Sequence, residues 1–505
     1  MARSLSSSIG VVGAGTMGRG IVQLFVQAGH TVRCHDAQPG AAAKAVDYVT
    51  GMLARSVEKG RMSQAEFEQA CGRMRACGGL TDLGDCEVVV EAIVEDLEVK
   101  RSLFRDLEAI VRADAILASN TSSLTVADIA AACSRPQRVA GLHFFNPVPL
   151  MKVAEVIAAV RTAPAVVERL RALTEGTGHR AVVAADQPGF LINHAGRGLY
   201  TEGLRIVEEQ VATPADVDDV LRDAMGFRMG PFELLDLTGL DVSSRVMASI
   251  YEQFQQEPRF RPSALVPPRV AAGLFGRKSG EGWYRYEDGK KLTPVPRAAP
   301  TLPPGLTVWI DAAATGAAGL REIAAAAGVT VVERAADAQL VLVQPWGHDA
   351  THVALALQVD PARCVAVDPL PPLALRRTLM LTAVTTPAAR DAAHALLASD
   401  GTPVTLINDS PGFIAQRVMA TIVNIAANIA QRGIASVADL EDAVQLGLGY
   451  PHGPLGWGDK LGAESILRIL QAQLQATADP RYRPSAWLAR RVALGLPLTT
   501  PEAAR

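Results

Sequence analysis

Short apolar runs alternate with longer amphipathic segments over the first third of the chain. The runs are rich in Val, Ile, Leu and Ala, and they lie at residues 9–12, 86–93, 115–118 and 139–145. Between two of them, residues 97–110 carry apolar side chains at helical spacing. Buried strands that alternate with helices are typical of a parallel sheet covered by helices, so we predict a doubly wound α/β domain.

The pattern changes near residue 187. From there to about residue 290 the chain has long segments of helical periodicity without alternating strands, which predicts an all-helical domain. Five prolines then fall between residues 294 and 304. We therefore predict a stiff, extended linker over 291–306.

The second half of the chain repeats the first. The segment SPGFIAQRV at 410–418 matches QPGFLINHA at 187–195, and PRFRPS near residue 258 returns as PRYRPS near residue 480. Such self-similarity indicates duplicated structural units. We predict five segments: an α/β domain over 1–186, a helical domain over 187–290, the linker over 291–306, a shortened α/β domain over 307–409 and a second helical domain over 410–505. Within the second α/β domain, strand-like runs lie at 307–311, 329–333, 340–343 and 364–367.

A glycine motif follows the first predicted strand. Gly13, Gly15 and Gly18 form G-x-G-x-x-G, in which the first glycine permits a tight turn and the second lets backbone amides approach a pyrophosphate. The third allows the helix to lie close to the strand. Asp36 ends the next strand about 20 residues further on, where a carboxylate binds ribose hydroxyls and repels a 2′-phosphate. The sequence predicts an NAD site formed by Gly13, Gly15, Thr16, Met17, Gly18 and Asp36.

Polar side chains lie near the ends of two later strands. Ser122 follows the run 115–118, His143 lies within the run 139–145, and Glu155 comes twelve residues later. Singly, Ser122 is as readily explained as a helix cap and His143 as a hydrogen-bonded core histidine. Together, a hydroxyl, an imidazole and a carboxylate form the set that hydride transfer from an alcohol requires.

Longer motifs give the first half a family resemblance. The segments VVEAIVED, ASNTSSL, GLHFFNPVPLMKVAEVI, DQPGFLINH, GFRMGPFELLDLTGLD and FGRKSGEGWYRY closely resemble the NAD-dependent 3-hydroxyacyl-CoA dehydrogenases from Ile9 to Tyr286. The resemblance implies a Rossmann-type NAD-binding domain and a 6-phosphogluconate-dehydrogenase-like all-α domain that contacts substrate and forms dimers. The second half is then a degenerate copy of both.

The same resemblance assigns roles to individual residues. It implies a catalytic set of Ser122, His143, Glu155 and Asn193, with His143 as acid/base and Glu155 as its orienting partner. It adds Glu95, Lys100 and Asn120 to the cofactor site. Lys59 corresponds to a lysine that meets the CoA phosphates, with Ser122 and Asn193 also next to substrate. Met52 stands where the family often has a CoA-contacting serine, which is a departure from the pattern.

The second copy lacks this chemistry. The first strand of its α/β segment leads into AAATGAAGL, which is not a G-x-G-x-x-G motif. The sequence comparison puts Val365 in place of His143 and Gln416 in place of Asn193, and it finds no counterpart of GRKSGEGWY at the end of the chain. We predict that the second half is structural and binds no dinucleotide.

Composition excludes several other classes of protein. The net charge of the 505 residues is −3, so no basic field favours nucleic acid or an anionic membrane. The start, MARSLSSS, lacks the apolar core of a signal peptide, and no apolar run is long enough to span a bilayer. The six cysteines form no C-x-x-C pair and no metal spacing. We expect a cytoplasmic homodimer with reduced thiols and no metal.

The predicted reaction is the NAD-dependent oxidation of (S)-3-hydroxyacyl-CoA to 3-oxoacyl-CoA. The fused double form is similar to dehydrogenases of phenylacetate breakdown that act on 3-hydroxyadipyl-CoA, and also to enzymes for butyryl chains. Two other hypotheses are a related oxidoreductase for a free hydroxy acid and a non-catalytic protein that retains the fold. Arg197, Arg205 and Arg228 are the arginines that the first helical domain offers to a terminal carboxylate.

Overall fold

The computed structural model describes residues 7–293 and 298–503, so part of the predicted linker, including Pro294 and Pro296, lies outside the described residues. The chain divides into two compact units. The first contains the residues up to 194 together with 432–448, and the second contains 195–431 and the residues from 449 onwards. The segment 432–448 belongs to the repeated half of the sequence, so this division cuts across the predicted segments. The predicted boundaries themselves remain predictions.

A mixed sheet forms the centre of the first unit. In the described residues its strands are β1 (Ser8–Val12), β2 (Thr31–His35), β3 (Met74–Ala76), β4 (Val88–Glu91), β5 (Ile116–Ser119), β6 (Val139–Phe144), β7 (Val153–Ala158) and β8 (Arg180–Ala185). Their order is β3-β2-β1-β4-β5-β6-β7-β8. Neighbouring strands are parallel except β6 and β7, which are antiparallel. The last two strands therefore run against the others.

Helices connect these strands. They are α1 (Thr16–Gln27), α2 (Ala41–Glu58), α3 (Gln64–Gly72), α4 (Leu97–Ile110), α5 (Val126–Ala130), α6 (Pro164–Glu175) and α7 (Ile192–Ala195). Side chains of Ile21, Phe25 and Val90 belong to the apolar core between helix and sheet. A half-buried carboxylate, Asp186, accepts hydrogen bonds from the first amides of α5, at 3.0 Å from Val126 N and 2.7 Å from Ala127 N. Burial raises the pKa of Asp186 above its ordinary value despite these bonds.

The first helical segment lies in the second unit. Its helices are α8 (Arg197–Glu208), α9 (Pro214–Met225), α10 (Pro231–Thr238), α11 (Leu240–Gln253) and α12 (Val266–Ala271). A short hairpin of β9 (Tyr286–Glu287) and β10 (Lys290–Lys291) follows. Asp236 holds this end of the segment, because its carboxylate accepts hydrogen bonds at 2.9 Å from the backbone amides of Trp283 and Tyr284.

A smaller sheet follows in the same unit. Among the described residues its strands are β11 (Thr307–Ile310), β12 (Thr330–Val331), β13 (Leu340–Val343), β14 (Cys364–Val367), β15 (Arg377–Leu381) and β16 (Val404–Asn408). The order is β12-β11-β13-β14-β15-β16, and β14 and β15 are antiparallel as β6 and β7 are in the first sheet. Its helices are α13 (Ala317–Ala326), α14 (Ala350–Ala356) and α15 (Pro387–Leu397). The sequence predicted the first four strands and missed β15 and β16.

The second helical segment closes the chain. Its helices are α16 (Ile414–Gln431), α17 (Val437–Leu448), α18 (Pro454–Leu461), α19 (Ala463–Thr477) and α20 (Ala486–Leu494). Asp459 accepts hydrogen bonds from the amides of Leu498 at 2.6 Å and Thr499 at 3.3 Å. This repeats the role of Asp236, so the chain after α20 is a structural counterpart of the first copy's closing segment, although the motif GRKSGEGWY itself does not recur. The counterpart is shorter and holds the same helix.

Each sheet receives one helix from the other half of the sequence. Helix α17 packs against β7 and β8, where Arg180 lies 2.7 Å from both Asp439 and Asp442 and the Ala185 amide donates to the Ile434 carbonyl at 2.8 Å. The duplicated segments are related by an offset of 223 residues, because Ser410 corresponds to Gln187 and 410 − 187 = 223.

The reciprocal contacts appear in the second unit at that offset. Helix α9 packs against β15, and the Asn408 amide donates to the Val211 carbonyl at 2.9 Å. Arg376 lies 2.8 Å from Asp223 and 3.6 Å from Asp219, the residue that corresponds to Asp442. The exchange of helices is therefore mutual.

A buried ionic cluster joins α8 and α16 in the second unit. The Arg417 guanidinium lies 2.7 Å from Glu202 and 2.8 Å from Glu209, and it donates to the Ser410 hydroxyl at 2.9 Å. The Tyr482 hydroxyl donates to Glu202 at 2.9 Å. Arg417 and Glu202 are fully buried. Water is excluded from these two side chains, so each charge is stabilised by its ion-pair partners and not by solvent.

Candidate active site

The glycine turn after β1 has the shape that a dinucleotide requires. Gly13 has φ +105°, and a Cβ there would lie 2.4 Å from the Ala92 carbonyl oxygen. A Cβ on Gly18 would lie 1.7 Å from the Gly13 carbonyl oxygen. At Gly15, which precedes the first residue of α1, no described atom lies within 4 Å of an added Cβ. The turn thus leaves its outer side open at a helix N-terminus, and the residues fit a bound pyrophosphate.

Asp36 lies directly beside this turn. Its carboxylate accepts a hydrogen bond from the Ala14 amide at 2.7 Å and another from the Gln38 amide at 2.8 Å. These bonds fix the half-buried acid at the end of β2, where a ribose would follow a pyrophosphate on the turn. Thr16 and Met17 open α1 with exposed and half-buried side chains respectively.

His143 and Glu155 form a buried pair across β6 and β7. They are directly opposite in the antiparallel register, and His143 Nδ1 lies 2.6 Å from Glu155 Oε2. An ionised carboxylate only accepts hydrogen bonds, so Nδ1 carries the proton and Nε2 is left with a lone pair. His143 is 5% exposed and Glu155 is 0% exposed, so the pair is shielded from water.

The loop before α7 holds the second oxygen of Glu155. Oε1 accepts hydrogen bonds from the backbone amides of Leu191 at 2.9 Å and Ile192 at 2.8 Å. Phe190, at φ +49°, turns the chain so that its ring lies 5.9 Å from the His143 ring. Asn193 follows directly in α7. The sequence motif DQPGFLINH contains these residues, but nothing in its pattern reveals that its amides bind a carboxylate.

Glu95 organises the loop that carries Ser122. One carboxylate oxygen accepts hydrogen bonds from the Thr121 hydroxyl at 2.6 Å, the Ser122 amide at 3.0 Å and the Ser123 amide at 3.0 Å. The other oxygen lies 3.2 Å from Lys100 Nζ. Burial alone would raise the pKa of Glu95, but Lys100 and the hydrogen bonds outweigh it, so this pKa lies below its ordinary value. Glu95 is therefore an anion that fixes the loop.

Lys100 is buried beneath this loop. Its ammonium lies 2.6 Å from Glu91, and it is 1% exposed. Glu91 also accepts the Ser119 hydroxyl at 2.6 Å and the Ile93 amide at 2.7 Å. The sequence assigned no role to Glu91 or Ser119. A buried Lys-Glu-Ser network of this kind fixes the ends of β4 and β5 and supports the site from below.

Asn120 joins the two strand ends. Its side-chain oxygen accepts the Phe144 amide at 2.8 Å, one residue beyond His143. The Ser122 loop is thereby attached to the strand of the histidine. Lys59 lies apart from these residues in sequence, exposed at the C-terminal end of α2, and Met52 is half-buried on the same helix.

The second sheet has a different set of residues at these positions. Ala185 and Asn408 correspond, because their amides make the two equivalent hydrogen bonds. Three residues earlier in each strand, Val182 therefore corresponds to Thr405. Glu155 lies beside Val182 and Thr378 lies beside Thr405, so Thr378 stands at the position of Glu155. The Asp368 amide donates to the Thr378 carbonyl, which places Asp368 at the position of His143. The alignment of Val365 with His143 was wrong, because the strand β14 is shorter and the sequence motifs match at a different register.

Side chains fill the second copy's turn and site. The Gly316 amide, which precedes α13, donates to Gln344 Oε1 at 2.7 Å, and a Cβ on Gly316 would meet that amide group at 2.8 Å. Asp368 accepts a hydrogen bond from Gln416 Nε2 at 2.9 Å. Burial raises the pKa of Asp368 to about 7. The helix N-terminus that follows β11 is thus occupied by Gln344, and the described residues of this copy have no His-Glu pair at the corresponding strand positions.

A glycine turn with an acid at the next strand end, together with a shielded imidazole oriented by a carboxylate, defines an NAD-dependent dehydrogenase that acts on an alcohol. Models of the "3-hydroxyacyl-CoA dehydrogenase, NAD binding domain" and the "3-hydroxyacyl-CoA dehydrogenase, C-terminal domain" match the chain, the first over residues 8–187 and the second over 189–286 and again over 412–501. The chain belongs to the 3-hydroxyacyl-CoA dehydrogenase family.

Individual relatives agree with this membership. The chain is similar to a 3-hydroxyadipyl-CoA dehydrogenase of Escherichia coli (strain K12), with 35% identity over 96% of this chain and 98% of the relative. It is similar to a probable 3-hydroxybutyryl-CoA dehydrogenase of Bacillus subtilis (strain 168), with 39% identity over 55% of this chain and 96% of the relative. A crystal structure of a 3-hydroxybutyryl-CoA dehydrogenase from Escherichia coli K12 matches with a TM-score of 0.86 and 34% identity, over 97% of this chain and 99% of that one.

The predicted family, fold class, cofactor and reaction class are thus confirmed. The enzyme is an oxidoreductase that uses NAD to oxidise a 3-hydroxyacyl-CoA. None of the helices in the described residues combines the length and apolar character that a bilayer crossing needs.

Proposed function

We propose that this enzyme oxidises (S)-3-hydroxyadipyl-CoA to 3-oxoadipyl-CoA, as a step in the breakdown of an aromatic acid such as phenylacetate. The observation that supports this substrate is the match along nearly the whole chain, second copy included, to a relative named for 3-hydroxyadipyl-CoA. The relative named for 3-hydroxybutyryl-CoA in Bacillus subtilis covers 55% of the chain. A relative with the same double architecture is thus named for the dicarboxylic substrate.

In the proposed mechanism His143 is the general base. With Nδ1 donating to Glu155, Nε2 would take the proton of the substrate's 3-hydroxyl as the C3–H bond releases hydride, for which bound NAD would supply the acceptor. Glu155 holds the imidazole in the required tautomer and stabilises the imidazolium that forms. The reverse reaction uses the same pair, with His143 as the acid.

The other site residues orient substrate and cofactor. Ser122 and Asn193 would hydrogen-bond the reacting oxygen and the thioester carbonyl, and Lys59 would meet CoA phosphates. Gly13, Gly15, Thr16, Met17, Gly18 and Asp36 would bind the adenosine and pyrophosphate of NAD. Glu95, Lys100 and Asn120 would support the nicotinamide side through the anionic loop and the strand junction described above.

The alternative substrate is 3-hydroxybutyryl-CoA, which the name of the matching crystal structure favours. Two of the arginines considered for a terminal carboxylate have other contacts: Arg205 lies 2.5 Å from Glu209, and Arg197 is buried against the Tyr200 ring. Arg228 is exposed. Steady-state kinetics with 3-hydroxyadipyl-CoA, 3-hydroxybutyryl-CoA and 3-hydroxyhexanoyl-CoA would test the proposal. A kcat/KM for the adipyl substrate no higher than for the hexanoyl substrate would contradict it.

We also propose a cytoplasmic homodimer in which each chain binds one dinucleotide. None of the six cysteines forms a disulfide, as is usual for proteins of the reducing cytoplasm. The second copy's turn is filled by Gln344, so calorimetric titration with NADH should give one site per chain. Two sites per chain would contradict the structural role of the second half, and sedimentation would measure the number of chains in the assembly.

A further inference from the structure

Helix α17 of the second half contacts the loop that orients the proposed catalytic carboxylate. Gly447 lies in the last turn of this helix, and an added Cβ there would stand 2.6 Å from Ile192 Cδ1 and 3.2 Å from its Cγ1 and Cγ2. Ile192 is 1% exposed, so its side chain is enclosed. The backbone amide of the same residue donates to Glu155 at 2.8 Å. A continuous chain of contacts therefore runs from α17 through Ile192 and Glu155 to His143.

The helix is held in place by contacts with the first sheet. Arg180 pairs with Asp439 and Asp442, and the Ile434 carbonyl accepts the Ala185 amide. Arg432 donates to Gln187 at 3.0 Å, five residues before Ile192. These contacts fix the position of α17 against β8 and the following loop. The helix cannot withdraw from Ile192 without losing them.

The other copy carries a different pair of residues at the positions of this contact. At the offset of 223 residues, Gly447 corresponds to Ala224 and Ile192 corresponds to Ala415. Beside the sheet with the His-Glu pair, the loop thus carries the large residue Ile192 and the docked helix carries Gly447, which has no side chain. The sheet without that pair has alanine at both positions. Glycine in a helix costs stability relative to alanine, so its presence at 447 indicates a packing requirement.

We propose that Gly447 and Ile192 are positioning residues for the reaction, and that α17 of the non-catalytic half sets the orientation of Glu155. The inference rests on the proposed roles of His143 and Glu155. It gives the second copy a part in catalysis beyond covering apolar surface. The helix presses on the Ile192 side chain, the Ile192 amide fixes the Glu155 carboxylate, and that carboxylate fixes the imidazole.

The test is a pair of substitutions in the full-length enzyme. Gly447→Ala improves the intrinsic helix propensity of α17 but pushes on Ile192, so we expect kcat to fall about tenfold while KM for NAD and for the acyl-CoA changes less than about twofold. Adding Ile192→Val removes the Cδ1 atom that the new methyl would meet. The double variant should regain kcat to within about threefold of wild type. A substitution that merely weakened the fold would not be rescued in this way.

Gln445→Ala on the exposed side of the same helix is the matched control and should leave kcat unchanged. If Gly447→Ala does not fold, the variant Asp439→Asn/Asp442→Asn replaces it, since it loosens α17 by removing partly exposed ion pairs. A wild-type kcat in whichever variant is folded, or a loss in Gly447→Ala that Ile192→Val fails to restore, overturns the inference. Glu155→Gln is measured alongside. Full activity in Glu155→Gln would instead refute the proposed catalytic roles.

Discussion

The two α/β segments of this chain share their packing and differ in their chemistry. Asp186 caps α5 in the first, and Asp409, at the corresponding position, caps α14 in the second through the amides of Ala350 and Thr351. The docked helices and their ion pairs are also present in both. The glycine turn and the His-Glu pair are present in one. Features that hold helices on a sheet are thus present in both segments, whereas the proposed catalytic features are present in one.

This difference separates two kinds of constraint on one fold. A cap or a docked helix is needed wherever the sheet must be covered, whether or not a reaction takes place there. An open glycine turn leaves backbone groups without protein partners and is useful only when a cofactor binds. In the second copy Gln344 occupies that position and satisfies the Gly316 amide. Substitutions at corresponding positions of the two copies should therefore have unequal effects.

The largest effect is expected at the corresponding positions His143 and Asp368. His143→Ala should lower kcat by about 10²–10⁴-fold, because general acid/base catalysis supplies that much, while folding and NADH binding stay nearly intact. Asp368→Asn, the matched variant in the second copy, should leave kcat unchanged. Steady-state kinetics of both variants measure the contrast. His143→Ala with more than half of the wild-type activity would remove the distinction between the copies.

A second prediction concerns the ionic cluster, which also differs between the copies. At the positions of Arg417, Glu202 and Tyr482 the other copy has His194, Ile425 and Phe260. Arg417→Ala leaves Glu202 buried without its cation, so it should reduce the free energy of unfolding by about 3–5 kcal/mol. Urea unfolding measures the loss.

The control for that cluster removes both charges. Arg417→Met combined with Glu202→Ile should recover most of the lost stability, since an apolar pair of similar volume needs no compensation. If the single and double variants lost the same free energy of unfolding, the loss would not come from an uncompensated buried charge.

A smaller effect is expected at the cofactor. Asp36→Ala should lower the ratio of kcat/KM for NAD to that for NADP by about tenfold, or ~1.4 kcal/mol, because the carboxylate that repels a 2′-phosphate is lost. Initial rates with both cofactors give the ratio. An unchanged ratio would mean that Asp36 does not face the ribose in the one copy that retains the turn.

The effect that is smallest at neutral pH is a dependence of the free energy of unfolding on pH, which arises from Asp368 in the second copy. Asp368 has a pKa of about 7 in the folded chain and an ordinary value of 3.8, so the folded state holds a proton that the unfolded state has lost between these values. The free energy of unfolding should therefore fall as pH rises from about 4 to about 7, and stay level above. Asp368→Asn removes this contribution while its amide oxygen still accepts from Gln416. Thermal unfolding of both proteins from pH 5 to 8 should show the variant gaining about 2–3 kcal/mol on wild type, because each pH unit between 5 and 7 contributes about 1.4 kcal/mol. A constant difference across this range would refute the assignment.

The sequence revealed the parts of this molecule that local patterns encode. The glycine turn, the runs that became β1, β5, β11 and β13, and the amphipathic segment that became α4 all follow from short-range periodicity. Strand β7 was not predicted, and its direction did not follow from the sequence either, because reversal of a strand leaves its residue pattern unchanged. Nor did the contacts of Glu91 and Ile192, which depend on which strand ends and loops meet in space. The misplacement of Val365 has the same origin, since motif matching cannot see a ladder register.

The exchange of helices also constrains how the chain reaches its folded state. Segments of a protein emerge from the ribosome in order, and domains that emerge early generally fold first. The first sheet is complete by residue 185, yet the helix that packs against β7 and β8 ends at Leu448 of a 505-residue chain. Until then the faces of β7 and β8 that α17 covers are open. The catalytic unit is therefore among the first parts of the protein to be synthesised and among the last to be finished.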